Sequence, residues 1–256
     1  MDLRPRTTPS AEVSQSGSTD WKLLLPTGPE GEYRWAQLDD YLHRKRRDFL
    51  WQPPFRLKLR SRISDENVAG TWGFGLWNDP FNFSLGVEGA SRSLPVLPNA
   101  AWFFFASTHN YLSFRNDLPA SGFLTSVFSS PLVPSVLLGL ALPFAPMLMV
   151  PSSSRLLRAL AGHVIREDSC ALRVAVRDWH EYCLEWETDA VRFYLDGELC
   201  FSTKVVPKGK MGLVLWVDNQ YAAYPPDGKI RMGTLKTDHQ VYLEISNIET
   251  QSGNAF

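Results

Sequence analysis

The chain has 256 residues, enough for one large β domain or two small ones, and its nine Trp and 12% aromatic content suit strands and an aromatic-lined cleft. A formal net charge of -1 gives no electrostatic footing for nucleic acid, which is not expected as a partner. Three cysteines (Cys170, Cys183, Cys200) cannot all pair, so a disulfide scaffold is not expected and reduced thiols are.

The predicted elements follow in chain order. Residues 1–20 are rich in Ser, Thr and Pro and read as a disordered tail, leaving 21–256 as a single domain. This start has no apolar core of a secretory signal, which points to a cytoplasmic protein. Trp21 to Leu25 is a first strand closed by Pro26-Thr27-Gly28-Pro29. Trp35 to Arg47 reads as a short helix ending in the basic run His43 to Arg47. Phe55 to Ile63 alternates: Phe55, Leu57, Leu59 and Ile63 point one way, and Arg56, Lys58, Arg60 and Arg62 form the wet face of an antiparallel strand. Gly70 to Asp79 is a glycine- and tryptophan-rich strand, and glycine within a strand marks a close backbone or ligand approach. Leu85 to Asn99 is a loop carrying Glu88, and Ala101 to Thr108 is a strand apolar on both faces.

From Leu118 to Ser154 no residue is charged. Pro134, Pro143 and Pro146 interrupt its centre and would kink a spanning helix. Ser152 to Ile165 is helical in pattern, with Leu156, Leu157, Leu160 and Val164 as one apolar stripe. The region 118–168, and within it 131–166, reads as a helical insertion acting as a lid, a membrane-dipping segment or an oligomer contact. Strands resume at Cys170–Val176. Tyr182, Leu184 and Trp186 then share a face, as do Val191, Phe193 and Leu195, with the Asp196-Gly197 hairpin turn between this strand and the next. Met211 to Val217 and Val241 to Ile248 complete the set.

The order FRLKLRSRIS, GTWGFGLWND, WHEYCLEWETDAVRFYLDGELC, MGLVLWVDN, VYLEISNIE resembles the family-16 glycoside hydrolases, the laminarinase and lichenase group. The Trp-His-x-Tyr…Glu-Trp…Phe-Tyr-Leu-Asp-Gly run is the most specific part, and the likeness covers residues 50–117 and 169–250. It implies an all-β fold: a concanavalin-like jelly-roll sandwich of two antiparallel sheets, with a sugar cleft on the concave face. The family's active strand carries Glu-x-Asp-x-(x)-Glu, where one carboxylate attacks the anomeric carbon and another protonates the leaving oxygen. Here that strand is AWFFFAST, and no Asp or Glu occurs between Glu88 and Asp117. No catalytic residue carries over, and hydrolysis by the family mechanism is not expected.

What replaces the carboxylates is aromatic. Trp102 and Phe104, or Phe103 and Phe105, face the cleft, and by analogy with the family Trp72, Phe74, Trp77 and Trp216 line it with them; as core, the same rings would simply fill the space between the sheets. Asn78, Asn219 and Tyr221 stand at strand ends and complete the ligand-binding candidates. Asp218 shares parity with Trp216, and a carboxylate in an apolar pocket has a raised pKa suited to acid–base work. Asp79, His109 and Tyr111 are the other catalytic candidates; Glu88 and His163 are weaker. No metal or cofactor is expected. The first expectation is a non-hydrolytic isomerase or cyclase acting on a hydrophobic small-molecule ligand, since positioning alone removes much of a barrier. The alternatives are a non-catalytic binder of an apolar ligand or lipid, and a glycan-binding or glycoside-active protein, with a peripheral membrane contact through 131–166 compatible with any of them.

Overall fold

The computed structural model describes residues 2–80, 94–140 and 142–253; Glu88 lies outside them. Two seven-stranded antiparallel sheets form the fold. Sheet I runs, in spatial order, β1 (Arg4–Thr7), β4 (Trp35–Asp39), β13 (Gly212–Asp218), β6 (Thr71–Trp77), β7 (Ala100–Ala106), β8 (Gly122–Ser129) and β9 (Arg166–Ala171). Sheet II runs β12 (Glu198–Thr203), β11 (Val191–Leu195), β10 (His180–Trp186), β5 (Phe55–Ile63), β16 (Val241–Ser252), β3 (Trp21–Leu25) and β2 (Glu12–Gln15). A separate hairpin joins β14 (Gln220–Ala223) to β15 (Arg231–Thr234).

Period-two alternation puts one face of each sheet into a shared core. Phe103 of sheet I meets Tyr182 at 5.0 Å and Phe193 at 5.1 Å between ring centres, and Phe74 meets Tyr182 at 5.0 Å. These rings are fully buried, and each contributes roughly 2 kcal/mol by leaving water. On the outer face of sheet II the basic stripe of β5 meets acids of its neighbours, Lys58 to Glu181 at 3.0 Å and Arg62 to Glu244 at 2.6 Å. Both central residues of the hairpin turn have positive φ, 51° at Asp196 and 84° at Gly197, as a type I′ turn demands.

Three expectations are corrected. Residues 1–20 are not a free tail: β1 pairs with β4 and β2 with β3, because an edge strand needs only backbone partners. Trp35 to Arg47 is not a helix; its first five residues are β4, inserted between β1 and β13, and only Arg46–Asp48 forms a short 3-10 turn. The inserted segment is shorter than 118–168, since β8 pairs with β7 and β9. What remains between β8 and β9 holds α1 (Ser135–Gly139), a 3-10 stretch (Leu142–Met149) and α2 (Pro151–Val164). The apolar stripe of α2 faces solvent: Leu156, Leu157, Leu160 and Val164 are exposed, whereas Ser154 and Arg158 are buried.

Candidate functional site

The strand that the resemblance aligns with the family's active strand, AWFFFAST, is β7 of sheet I. Strand β7 is central there, between β6 and β8. Its Phe103 is in the core and Phe105 packs against that core, so Trp102 and Phe104 turn outward, the first of the two parities open in the sequence. From β13 comes Trp216 and from the end of β6 comes Trp77. The three indoles touch one another, with ring centres 5.5 Å apart for Trp102–Trp216, 6.0 Å for Trp77–Trp102 and 6.5 Å for Trp77–Trp216, the last pair parallel within 6°. Phe104 extends the platform, 5.7 Å from Trp102 and 5.8 Å from Trp216.

The glycines of β6 make this arrangement possible. A Cβ on Gly73 would lie 2.9 Å from Trp216 and 2.5 Å from the Phe103 carbonyl oxygen; one on Gly75 would lie 2.6 Å from the Trp102 Cα. Glycine here marks the close approach of neighbouring rings. Trp72 and Phe74, expected in the cleft, occupy the opposite parity and are buried between the sheets at 1% and 0% exposure.

Polar groups flank the platform at two ends. At one, Trp216 Nε1 donates to Thr71 Oγ1 at 2.9 Å, and that hydroxyl donates to Asp218 Oδ1 at 2.8 Å. Asp218 also accepts from the backbone N–H groups of Thr71 and Gln220, both at 3.2 Å, and bonds Tyr33. Burial pushes its carboxyl up to about 7, against the pull of these bonds. At the other end, Trp77 Nε1 donates to the Tyr41 hydroxyl at 2.7 Å and Gln37 Nε2 donates to Asp39 at 2.8 Å. Arg6 of β1 stands 3.5 Å from Asp39 and 5.1 Å above the Trp35 ring. Asp39 is itself raised, mainly by burial.

The remaining candidates are placed elsewhere. Asn78 is buried, donating to the Leu97 carbonyl and accepting from the Asn99 N–H. Asn219, fully buried, accepts from the Arg34 N–H and donates to the Glu32 and Leu235 carbonyls. Asp79 is buried with φ 50°, its carbonyl held by Arg46. His109 is exposed in the turn after β7, 6.1 Å from the Tyr221 ring. Tyr111 lies under the Arg158 guanidinium at 5.5 Å and bridges to Ala223. His163 is on the exposed side of α2, bonded to the Ala159 carbonyl. Sequence reasoning missed Arg6, Gln37 and Asp39, all in stretches read as tail or helix; the alternation of Trp35, Gln37 and Asp39 against Ala36 and Leu38 was the available signal. Among the described residues no group of three or more His, Cys, Asp or Glu is set to hold a metal.

Two acids of this face cannot act as the family's pair. Asp218 is in register with Trp35 and Asp39 with Val214, four residues along the same ladder, or ~13 Å at strand rise. Retaining hydrolysis needs carboxyls about 5 Å apart and inverting hydrolysis no more than about 9.5 Å. A third, Glu167 of β9, is held by Ser113 Oγ at 2.6 Å and the Arg115 N–H at 2.7 Å.

No family model matches the chain, and no curated protein matches it. Solved structures do. A glycoside hydrolase family 16 endo-glucanase from Bacteroides ovatus superposes with a TM-score of 0.52 at 9% identity, covering 97% of this chain and 94% of that one. Another Bacteroides ovatus family-16 protein, of mixed-linkage glucan, gives 0.49 at 9% over 97% and 94%, and the Bacillus licheniformis β-glucanase 0.46 at 12% over 94% and 82%. At such identities the likeness is one of fold: this chain has the concanavalin-like jelly roll of the family-16 glycoside hydrolases, and the resemblance read in the sequence holds at that level. The expectation of an isomerase or cyclase for a hydrophobic small molecule is corrected. The fold is shared with glycan-active enzymes, and two of the aromatics meant to wall an apolar pocket belong to the core.

Proposed function

We propose that the outer face of sheet I binds a glycan chain, with Trp77, Trp102 and Trp216 as its stacking platform. The observation that carries this reading is the mutual contact of three half-buried indoles where the family's carboxylates would stand. The C–H face of a pyranose is weakly positive and complements the negative face of an indole. Gln37, opposite Trp216 in the β4–β13 ladder, and Asp218 beside it supply the directional partners that hydroxyl groups require. A β-glucan is the substrate class to try first, because the Bacteroides ovatus enzyme that shares the fold is an endo-glucanase. Binding without cleavage is favoured by the aromatic β7 and by the ~13 Å register separation of Asp218 and Asp39.

The test is affinity electrophoresis and tryptophan fluorescence titration against soluble β-glucans, with reducing-end release measured in parallel. Retardation and a saturable fluorescence change, lost in Trp102→Ala and Trp216→Ala, with no reducing ends formed, are expected. Release of reducing sugar, or indifference to every glucan and to other glycans on an array, would overturn the proposal.

A further inference from the structure

Helix α2 is inverted relative to its own pattern. Its buried residues are Ser154 and Arg158, and the Arg158 guanidinium donates to the Phe114 carbonyl, to the Arg115 carbonyl at 3.3 Å and to Asn116 Oδ1 at 2.9 Å. Polar contacts thus fasten the helix to the 114–116 loop, leaving Leu156 and Leu160 in solvent at 62% and 54% exposure. The two elements before it behave alike. Leu140 at the end of α1 is 69% exposed, and Met149 at the end of the 3-10 stretch is 79% exposed. Most large exposed hydrophobic residues of the described chain fall between Leu132 and Val164. A single exposed leucine is ordinary; three successive elements that each expose large apolar side chains form a contact surface.

Cations stand at its base. Gly209, between Lys208 and Lys210, lies so close to Leu132 that a Cβ there would be 3.2 Å from that side chain; both lysines are exposed. Arg46 donates to the Leu94 carbonyl at 2.8 Å, and a Leu94 methyl lies 3.0 Å from where a Cβ on Gly139 of α1 would be. This ties the basic run, with its exposed Lys45 and Arg47, to the apolar insertion. Arg155 adds a cation on α2, and no acidic residue occurs from Leu118 to Arg166.

We propose that the 131–166 segment docks this protein on an anionic lipid bilayer, lying in the interface with its apolar side chains inserted and the lysines and arginines at headgroup level. That is the pattern of a peripheral anchor: an outward apolar face with a basic margin. Spanning is not required, and no described helix is long and apolar enough to cross a membrane. A second copy is the poorer occupant. A two-fold contact would set one basic margin against another, and the segment holds no acid to answer it.

Flotation of the full chain with vesicles tests this, using phosphatidylcholine alone and phosphatidylcholine with phosphatidylserine. The wild type should float with the anionic vesicles and far less with the neutral ones. The double variant Leu137→Glu/Leu140→Glu should stay at the bottom with an unchanged circular dichroism spectrum and melting temperature; Leu156→Glu/Leu160→Glu provides the same test on the other helix. Lys208→Gln/Lys210→Gln should weaken partitioning about fivefold per cation at low salt. Failure to float, equal flotation with neutral vesicles, or glutamate variants that float like wild type would each overturn the proposal. So would light scattering that finds a wild-type dimer which the glutamate variants convert to a monomer.

Discussion

Strand β7 is apolar on both faces and helix α2 on one, and they spend that character oppositely. In β7, Phe103 fills the core while Trp102 and Phe104 floor an open face. In α2 the polar side grips the protein and the leucines face out. Periodicity establishes which residues share a face, not which face is covered. That choice belongs to distant strands and loops.

The sharpest way to break the comparison is to truncate matched apolar residues in each element. Phe103→Ala should cost about 4 kcal/mol in urea denaturation, because it leaves a cavity among Phe74, Tyr182 and Phe193. Leu157→Ala, on the outward face of α2, should stay within about 0.5 kcal/mol of wild type. A loss of several kcal/mol at Leu157 would show that its face is covered after all.

Next in size is pH. Asp218 is raised to about 7 and Asp40 to about 6, both chiefly by burial, so above pH 4 the folded state holds protons that the unfolded state has lost. Stability should therefore fall as pH rises from about 4 to about 7 and level off beyond. Asp218→Asn keeps the shape and removes the ionisation, so its melting temperature should vary less across that window. An unchanged pH profile in Asp218→Asn would show that this carboxyl is not the group responsible.

At the platform the effect expected on stability is well below that of Phe103→Ala. Trp216→Phe preserves a ring over Gly73 but loses the bond to Thr71, and should cost about 1 kcal/mol. Its glucan affinity should fall several-fold, since the smaller ring covers less of a sugar. Equal affinity would place the binding surface elsewhere.

Much of the fold was legible because its strands have one buried and one wet face. In β5, β10 and β11 nearly every second residue is apolar, and the Asp196-Gly197 turn fixes the register of β11 against β12. Where both faces are covered the signal fails. Strand β8 disappeared into the uncharged run because Phe123 and Val127 face the core while Leu124 packs under Phe104. Strand β4 was hidden for another reason: Trp35, Leu38, Tyr41 and Leu42 are also spaced like a helix, and only pairing to β1 and β13 decides against it. The site suffered with it. Residue type alone singles out Trp77, Trp102 and Trp216, but it does not separate them from the buried Trp72 and Phe74, and Gln37 and Asp39 are legible only once β4 is seen as a strand.

The first twenty residues carry a consequence beyond their two short strands. β1 closes the β4 edge of sheet I and β2 closes the β3 edge of sheet II, so one peptide stitches both halves of the sandwich along the same seam. Removing residues 1–15 would bare the β4 and β3 edges together, each a template for another strand. A short polar leader thereby acts as the hem of the whole sandwich, and its removal should turn a discrete particle into one that grows edge to edge.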